Sequence, residues 1–400
     1  MDTQPVQNNS LTPGDPIVQA IAGGSHLRIT FAEFMELALY HPQHGYYASN
    51  TAKIGTSGDF FTSPHLGSDF GELLAEQFFQ MWELLDCPYP FSLVEMGAGQ
   101  GLLAKDVLRY LQRHYPQCFA VLEYLIIERA GALIAEQQQQ LSPLIEAGAN
   151  VHWCSFDELS PNSIVGCFFS NELVDALPVH LVMTTDSRLQ EIYVTTTTED
   201  NKLQLQEVVD DLSTPDLERY FTELKINLFN SPYPDRYRTE VNLAALDWIA
   251  TVASKLQRGY VLTIDYGYSS DRYYHPLRSE GTLQCYYRHS HHSDPYLYVG
   301  EQDITAHVNF TALQKWGEKS GLQTLGFTKQ GMFLMALGLG DRLALISQSM
   351  AHQPQDVLDQ LRYRDALHQL VDPMGLGNFG VLIQGKNVTL DVLPRGLRQE

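Results

Sequence analysis

Residues 93–101 read Leu-Val-Glu-Met-Gly-Ala-Gly-Gln-Gly, an apolar strand that stops in a glycine turn and opens into a helix. Glycine accepts positive φ and lacks the Cβ that would hold a backbone away from a ligand. Gly97, Gly99 and Gly101 therefore predict a tight strand-to-helix turn against which a nucleotide-like molecule can lie. A dinucleotide fingerprint asks for G-x-G-x-x-G. Position 102 is Leu, which disfavours a nicotinamide-linked oxidoreductase. A tight turn with no ligand is the plainer alternative.

The same strand–helix step recurs downstream. Strands are expected at 92–96, 123–128, 151–154, 165–170, 260–265, 322–328 and 379–385, and helices near 102–113, 130–141, 243–256, 311–320 and 355–370. This alternation predicts an α/β fold with a seven-stranded, mostly parallel sheet covered on both faces and an antiparallel last strand. Ligands of such sheets bind beyond the carboxyl ends of the strands.

Residues 1–16 read as a polar, mobile tail. Residues 17–90 read as an N-terminal helical or lid segment, in which Phe31, Phe34, Met35, Ala38 and Leu39 share a helix face behind a Thr30 cap. Ser63-Pro64 is expected to open a second helix with the stripe Phe70, Leu74, Phe78, Met81 and Leu85. The sheet domain occupies 91–400. It carries a small antiparallel addition at about 180–240 and a loop insertion at 268–303. Gln137 to Gln140 read as exposed helix surface.

The charge narrows the partners. Lys and Arg number 26 against 47 Asp and Glu, a net −21, which repels phosphate backbones and attracts basic proteins. Acidic surfaces also serve solubility alone. The five cysteines are scattered and form no C-x-x-C, which argues for free thiols rather than disulfides or zinc. No apolar run approaches the roughly 20 residues that span a bilayer. The first residues, Met-Asp-Thr-Gln-Pro, have no basic leader, so a cytoplasmic location is expected.

Several side chains are candidates for chemistry. Glu128 ends the second strand, where a carboxylate can accept both hydroxyls of a ribose; otherwise it is a surface acid beginning a helix. Phe156 and Asp157, beyond the third strand, could flank an adenine, or Asp157 could simply cap a helix. Gly58, Asp59, Thr62 and Ser63 precede a helix start that could receive a carboxylate. Asn171, Glu172 and Asp175 crowd the end of the fourth strand, an expensive placement unless they meet water or ligand. They suit a cationic or hydrogen-bond-donating nitrogen, or else a helix cap with first-turn acids. Glu240 is a second candidate for such a clamp, and Asp265-Tyr266 closes the fifth strand as a wall of the site. Arg288 shares a loop with His289, His291 and His292. Without a supporting Cys or spaced acid this reads as an exposed loop or substrate contact rather than a metal site.

The motifs then converge. G-x-G-x-G behind the acidic strand residue Glu95 resembles the S-adenosylmethionine turn of class I methyltransferases. With it stand His44-Gly45-Tyr46-Tyr47, Gly58-Asp59-Phe60-Phe61-Thr62-Ser63-Pro64, Phe70-Gly71-Glu72-Leu73, Asn171-Glu172-Leu173-Val174-Asp175-Ala176-Leu177-Pro178, Asp265-Tyr266-Gly267, Gly281-Thr282-Leu283 and the segment from Asp303 to Phe310. From about residue 30 to 385 the chain resembles the MidA family of S-adenosylmethionine-dependent protein arginine methyltransferases. The resemblance implies a class I methyltransferase-like Rossmann fold, S-adenosylmethionine as cofactor and an arginine-bearing protein as acceptor. It assigns Glu95, Gly97, Gly99 and Gly101 to the cofactor turn, Asn171, Glu172 and Asp175 to the catalytic signature, and His307 to substrate contact. Asn309 and His65 depart from it, standing where Asp and Glu are expected. A non-catalytic binding or assembly factor on the same fold, or a methyltransferase of a small acceptor, stays open.

Overall fold

Seven strands form the central sheet of the computed structural model, which describes residues 11–48, 62–186, 188–199, 201–288, 290–352, 357–389 and 391–398. They are β1 (Phe91–Met96), β2 (Leu122–Ile127), β3 (Val151–Cys154), β4 (Ile164–Asn171), β5 (Leu256–Asp265), β6 (Gln323–Lys329) and β7 (Gly380–Lys386). Their spatial order is β6-β7-β5-β4-β1-β2-β3. Strands β3, β2, β1, β4 and β5 run parallel. β7 is antiparallel to both of its neighbours, as expected for the last strand. Chain order reverses at β1, between β2 and β4, and a ligand crevice opens at such a switch point.

Alternate residues of β1 feed two cores, because successive side chains of a strand point to opposite faces. Leu93 packs with Phe70, Leu74, Phe78 and Met81 of the helix Asp69–Leu84 and with Val107 and Leu111 of the helix Leu102–His114. Val94 and Met96 pack with Ile249 and Val252 of the helix Leu243–Lys255 and with Phe310 and Leu313 of the helix Phe310–Lys319. The Phe70 stripe thus lies in the core of the main sheet. Its helix does not begin at Ser63-Pro64. Those residues form a separate 3₁₀ turn, Ser63–Leu66, closed by Gly67 at φ 141°, and the helix starts afresh behind Ser68.

The antiparallel addition is larger than expected. Strands His180–Thr185, Arg188–Glu199 and Lys202–Asp210 are joined by Arg28–Thr30 and Arg238–Val241 into a five-stranded sheet. Phe31, Phe34, Met35 and Leu39 of the helix Phe31–Tyr40 cover it through Leu181, Ile192 and Val194. Thr30 caps that helix reciprocally. Its hydroxyl accepts from Glu33 N at 3.1 Å, and the Glu33 carboxylate accepts from Thr30 N at 2.7 Å.

Three other expectations change. The supposed loop at 268–303 contains strands Gln284–Tyr287 and Ser290–His292, which pair with Asp303–Thr305. Gln137 is fully buried rather than exposed. The helix Gln330–Ala336 brings Phe333 and Leu334 into the first core. Within the expected tail, Leu11 bridges to Leu203 and a helix already begins at Pro16; residues 1–10 lie outside the described residues. Among the described residues no helix is long and apolar enough to cross a membrane. All five cysteines are free.

Candidate active site

The cleft opens where β1, β2 and β4 end. Gly97, Gly99, Glu95, Glu128, Asn171 and Glu172 line it from the sheet, and Tyr40, Tyr47, Thr62 and His65 line it from the N-terminal segment. Its open space, counted to the mouth, is about 920 Å³, ample for a nucleoside-sized ligand.

The glycines divide their labour. All three have positive φ: 71° at Gly97, 52° at Gly99 and 76° at Gly101. A Cβ on Gly97 would meet Leu173 Cδ1 at 2.8 Å, and one on Gly101 would touch Gln137 at 3.4 Å. A Cβ on Gly99 would meet nothing within 4 Å. Gly97 and Gly101 therefore serve turn geometry and packing, and Gly99 leaves open the cradle that a cofactor would fill. Gly97 lines the cleft together with Gly99.

Glu128, the candidate ribose acceptor, lines the cleft. One carboxylate oxygen accepts from Arg129 N at 2.8 Å and Ala130 N at 3.0 Å, and the other from Gln137 Nε2 at 3.3 Å. Burial lifts its carboxyl above the ordinary value, and these donors oppose the lift. Gln137 is the strut of this wall. Its Nε2 also donates to Gly99 O at 2.8 Å, and its Oε1 accepts from Trp153 Nε1 at 2.8 Å. Glu95 is buried and accepts from the Tyr124 hydroxyl at 2.6 Å. Burial pushes its carboxyl to about 7.

At the other end stand the acids. Glu172 is held at φ 52°, a left-handed conformation that costs a side-chain-bearing residue about 1–3 kcal/mol. Asn171 Nδ2 donates to its carboxylate at 2.9 Å, and the Ser63 backbone N–H also lies on it. Burial, then the Asp175 charge, pushes Glu172 to about 8. Asp175 is buried with its Oδ1 unpartnered. Burial lifts its carboxyl to about 6, opposed by the Tyr266 hydroxyl and the Ala176 N–H. Asp265 pins the turn: it accepts from Val174 N at 2.9 Å, Asp175 N at 3.3 Å and Tyr266 N at 2.9 Å. Burial, then Asp175, holds Asp265 well above the usual carboxylate range. Asp303 is buried as well and accepts from the Tyr47 hydroxyl at 3.0 Å. Tyr47 stacks on Tyr40, ring centroids 5.4 Å apart, and Tyr40 donates to Ala176 O at 2.8 Å. Among the described residues no Lys or Arg forms an ion pair with Glu172, Asp175 or Asp265. Carboxylates beside aromatic rings suit an incoming cation, and one guanidinium, that of Arg129, already lies 4.8 Å from the Tyr40 ring centroid.

Other expected residues fall elsewhere. Glu240 is fully engaged by Thr282 N at 2.9 Å, Thr282 Oγ1 at 3.1 Å, Leu283 N at 3.1 Å and the Tyr273 hydroxyl at 3.3 Å, so it organises the turn at 281–283 and does not line the cleft. Phe156 packs on the cluster of Val94, Ile127 and Phe168, and Asp157 is exposed beside it; neither lines the cleft. Ser63 is buried below the acid end, its hydroxyl 3.4 Å from Gln330 Oε1. Gly58 and Asp59 lie outside the described residues. Arg288 is exposed with its guanidinium 4.9 Å from the Tyr287 ring, and His307 stacks on Tyr268. Asn309 caps the helix Phe310–Lys319 through Ala312 N at 3.2 Å and bonds the Tyr220 hydroxyl at 3.0 Å, a structural use of the amide. His65, the other departure, lines the cleft and ties its two walls, through Thr62 Oγ1 at 2.7 Å and Gln100 Oε1 at 3.0 Å.

A sequence model described as "Putative S-adenosyl-L-methionine-dependent methyltransferase" matches residues 73–328, which span Glu95, the glycine turn and the acid signature. The chain belongs to this family. The same MidA group contains a Drosophila melanogaster relative named "Protein arginine methyltransferase NDUFAF7 homolog, mitochondrial", 28% identical over 87% of this chain and 79% of its own length. The mouse protein arginine methyltransferase NDUFAF7 is 27% identical over 80% of this chain and 72% of its own. A Burkholderia thailandensis crystal structure bound to S-adenosyl-homocysteine superposes with a TM-score of 0.80 at 30% identity, over 98% of each chain. The chain is thus a MidA-family methyltransferase of class I fold, and its cofactor is S-adenosylmethionine. One expectation is overturned. The animal relatives are named as mitochondrial proteins, so the cytoplasmic placement does not stand.

Proposed function

We propose that this MidA-family methyltransferase transfers its methyl group to an arginine guanidinium on a basic protein. The acid end of the cleft carries the reading. Glu172 lines the same cleft as the Gly99 cradle, Asp175 and Asp265 are buried within electrostatic reach of it, and among the described residues none of the three forms an ion pair. The named activity of the animal relatives supports the same acceptor. The net charge of −21 favours a basic protein over a neutral one.

When bound, S-adenosylmethionine supplies a methyl group on a positively charged sulfur. A guanidinium brought beside that charge is repelled by roughly 4 kcal/mol at 4 Å in a moderately screened site. Glu172 and Asp175 offset this repulsion. Glu172 holds its proton near neutral pH in the empty cleft and releases it when a cation arrives, because an opposite charge lowers a carboxyl's pKa. Its two oxygens can then take paired N–H bonds, which fix the guanidinium plane and raise electron density on the attacking nitrogen. The nitrogen that gains the methyl loses a proton. Asp175, with an unpartnered Oδ1 and a carboxyl near 6, is placed to accept it. Tyr40 and Tyr47, stacked on each other, line the cleft beside Glu172.

Labelled S-adenosylmethionine incubated with the protein and cell lysate, followed by mass spectrometry, tests this. Label on arginine of a basic protein is expected. Label confined to small molecules or to other side chains would refute it.

A further inference from the structure

A second concave site lies beside the acid end on the same edge of the sheet. Tyr266 joins the two. Its hydroxyl lies against Asp175, and its ring meets His307 edge-on at 5.0 Å and Phe379 at 5.5 Å. Beyond it Tyr268 stacks on His307, centroids 4.9 Å apart and planes within 8°. The guanidiniums of Arg272 and Arg278 lie 4.5 Å and 4.2 Å from the Tyr268 centroid. Lys329 completes the group; burial first and Arg272 second depress its ammonium. Arg278 Nη1 donates to Arg272 O at 2.7 Å and Lys329 Nζ to Asn378 O at 2.8 Å, so both heads are held by carbonyls. Among the described residues none of the three cations forms an ion pair. This stands out in a chain with 47 acids and only 26 Lys and Arg. His307 adds a buried Nδ1 with no hydrogen-bond partner.

Like charges gathered without a counter-ion repel one another, and an arriving anion relieves that repulsion while forming charge-assisted hydrogen bonds. We propose that the shelf formed by Tyr268, His307, Arg272, Arg278 and Lys329 binds an acidic side chain of the acceptor protein, close in sequence to the methylated arginine. The inference rests on the arginine reading above. A peptide side chain is favoured because the shelf continues into the acid end through Tyr266. The two sites differ in sign, as a chain bearing both an arginine and an acid requires. One tyrosine ring plus one ring-to-ring step is on the order of 10 Å, or about three residues of extended chain. The overall charge attracts basic proteins, and the shelf then selects those with one acid at a fixed offset.

Dye-labelled Gly/Ser peptides test it. Each carries one Arg and either Glu or Gln, one to five residues to either side. Binding to the full chain is read by anisotropy with S-adenosyl-homocysteine present. Glu peptides should bind about tenfold tighter than their Gln partners at one or two offsets near three residues. Arg272→Gln, an exposed site, combined with Lys329→Gln should erase that preference and leave Gln-peptide affinity unchanged. Equal affinities at every offset, binding by no peptide, or a preference that survives the double variant would overturn the shelf. The same peptides with labelled S-adenosylmethionine separate the two readings. Arginine methylation without a Glu preference removes the shelf and keeps the proposed function. A Glu preference without any methylation keeps an anion shelf and removes the arginine acceptor.

Discussion

The two ends of the cleft are built by opposite means. The cofactor end is mostly backbone. One contiguous turn supplies Gly97, Gly99 and Gly101, Gln137 braces it, and Glu128 adds one carboxylate to the wall. The acid end is mostly side chain. It draws Tyr40, Asp265, Asp303 and the pair Glu172 and Asp175 from four separate segments. The cofactor end carries buried acids too, Glu95 and Glu128, but hydrogen-bond donors offset part of that cost. The acid end is costly when empty, because burial there disfavours the ionised carboxylates that the chemistry needs. A cofactor shared by many reactions can be met by a stock turn, and a particular acceptor needs side chains that only its arrival satisfies.

The largest test of this contrast is Glu172→Gln. S-adenosylmethionine affinity should stay nearly constant by calorimetry, while methyl transfer to the acceptor falls at least about tenfold. Unchanged turnover would move the chemistry away from the acid end. Next come two alanines in one turn. Gly97→Ala should lose about 1–3 kcal/mol in denaturant unfolding, because it adds a Leu173 clash to a strained φ. Gly99→Ala has no clash and should lose less stability, but about tenfold in cofactor affinity. If Gly99→Ala binds cofactor normally, the cradle is misplaced.

An effect of similar size is expected at the brace. Gln137→Leu strands Gly99 O and Trp153 Nε1, which should cost about 1–3 kcal/mol. A pH effect tests the acid end from another side. The Glu172 carboxyl sits at about 8 in the folded chain against an ordinary 4.5, so the folded state favours the proton. Its contribution to stability is full below about 4.5 and is lost as pH rises through 8. Thermal melts of the cofactor-free protein should therefore show Glu172→Gln gaining on the parent as pH rises from 5 to 8. A constant difference would mean that Glu172 is not buried as a carboxylic acid.

Parts of the site were legible in residue order because their cause is local. The glycine turn, the capping box at Thr30 and Glu33, and the acid crowding at 171–175 each follow from neighbours within a few residues. Glu240 misled because a buried acid in a promising segment looks alike whether it meets a ligand or the 281–283 turn. Gln137 was missed because its neighbours Gln138 and Gln139 are exposed, and a run of Gln carries no periodic signal. Tyr40 and Tyr47 lie on a helix end and a turn, where nothing in local pattern says which face another segment will cover.

Sequence alone determined the strand–helix rhythm, the antiparallel last strand and the conformation of the turn at 97–101. These depend on periodicity and on positive φ, which act over a few residues. Only the tertiary structure decided which acids line the cleft, which are spent on backbone N–H groups, and that among the described residues the cations near Tyr268 form no ion pair. Those outcomes are set by distances between segments that residue order does not encode, and electrostatic energy depends on that distance and on burial.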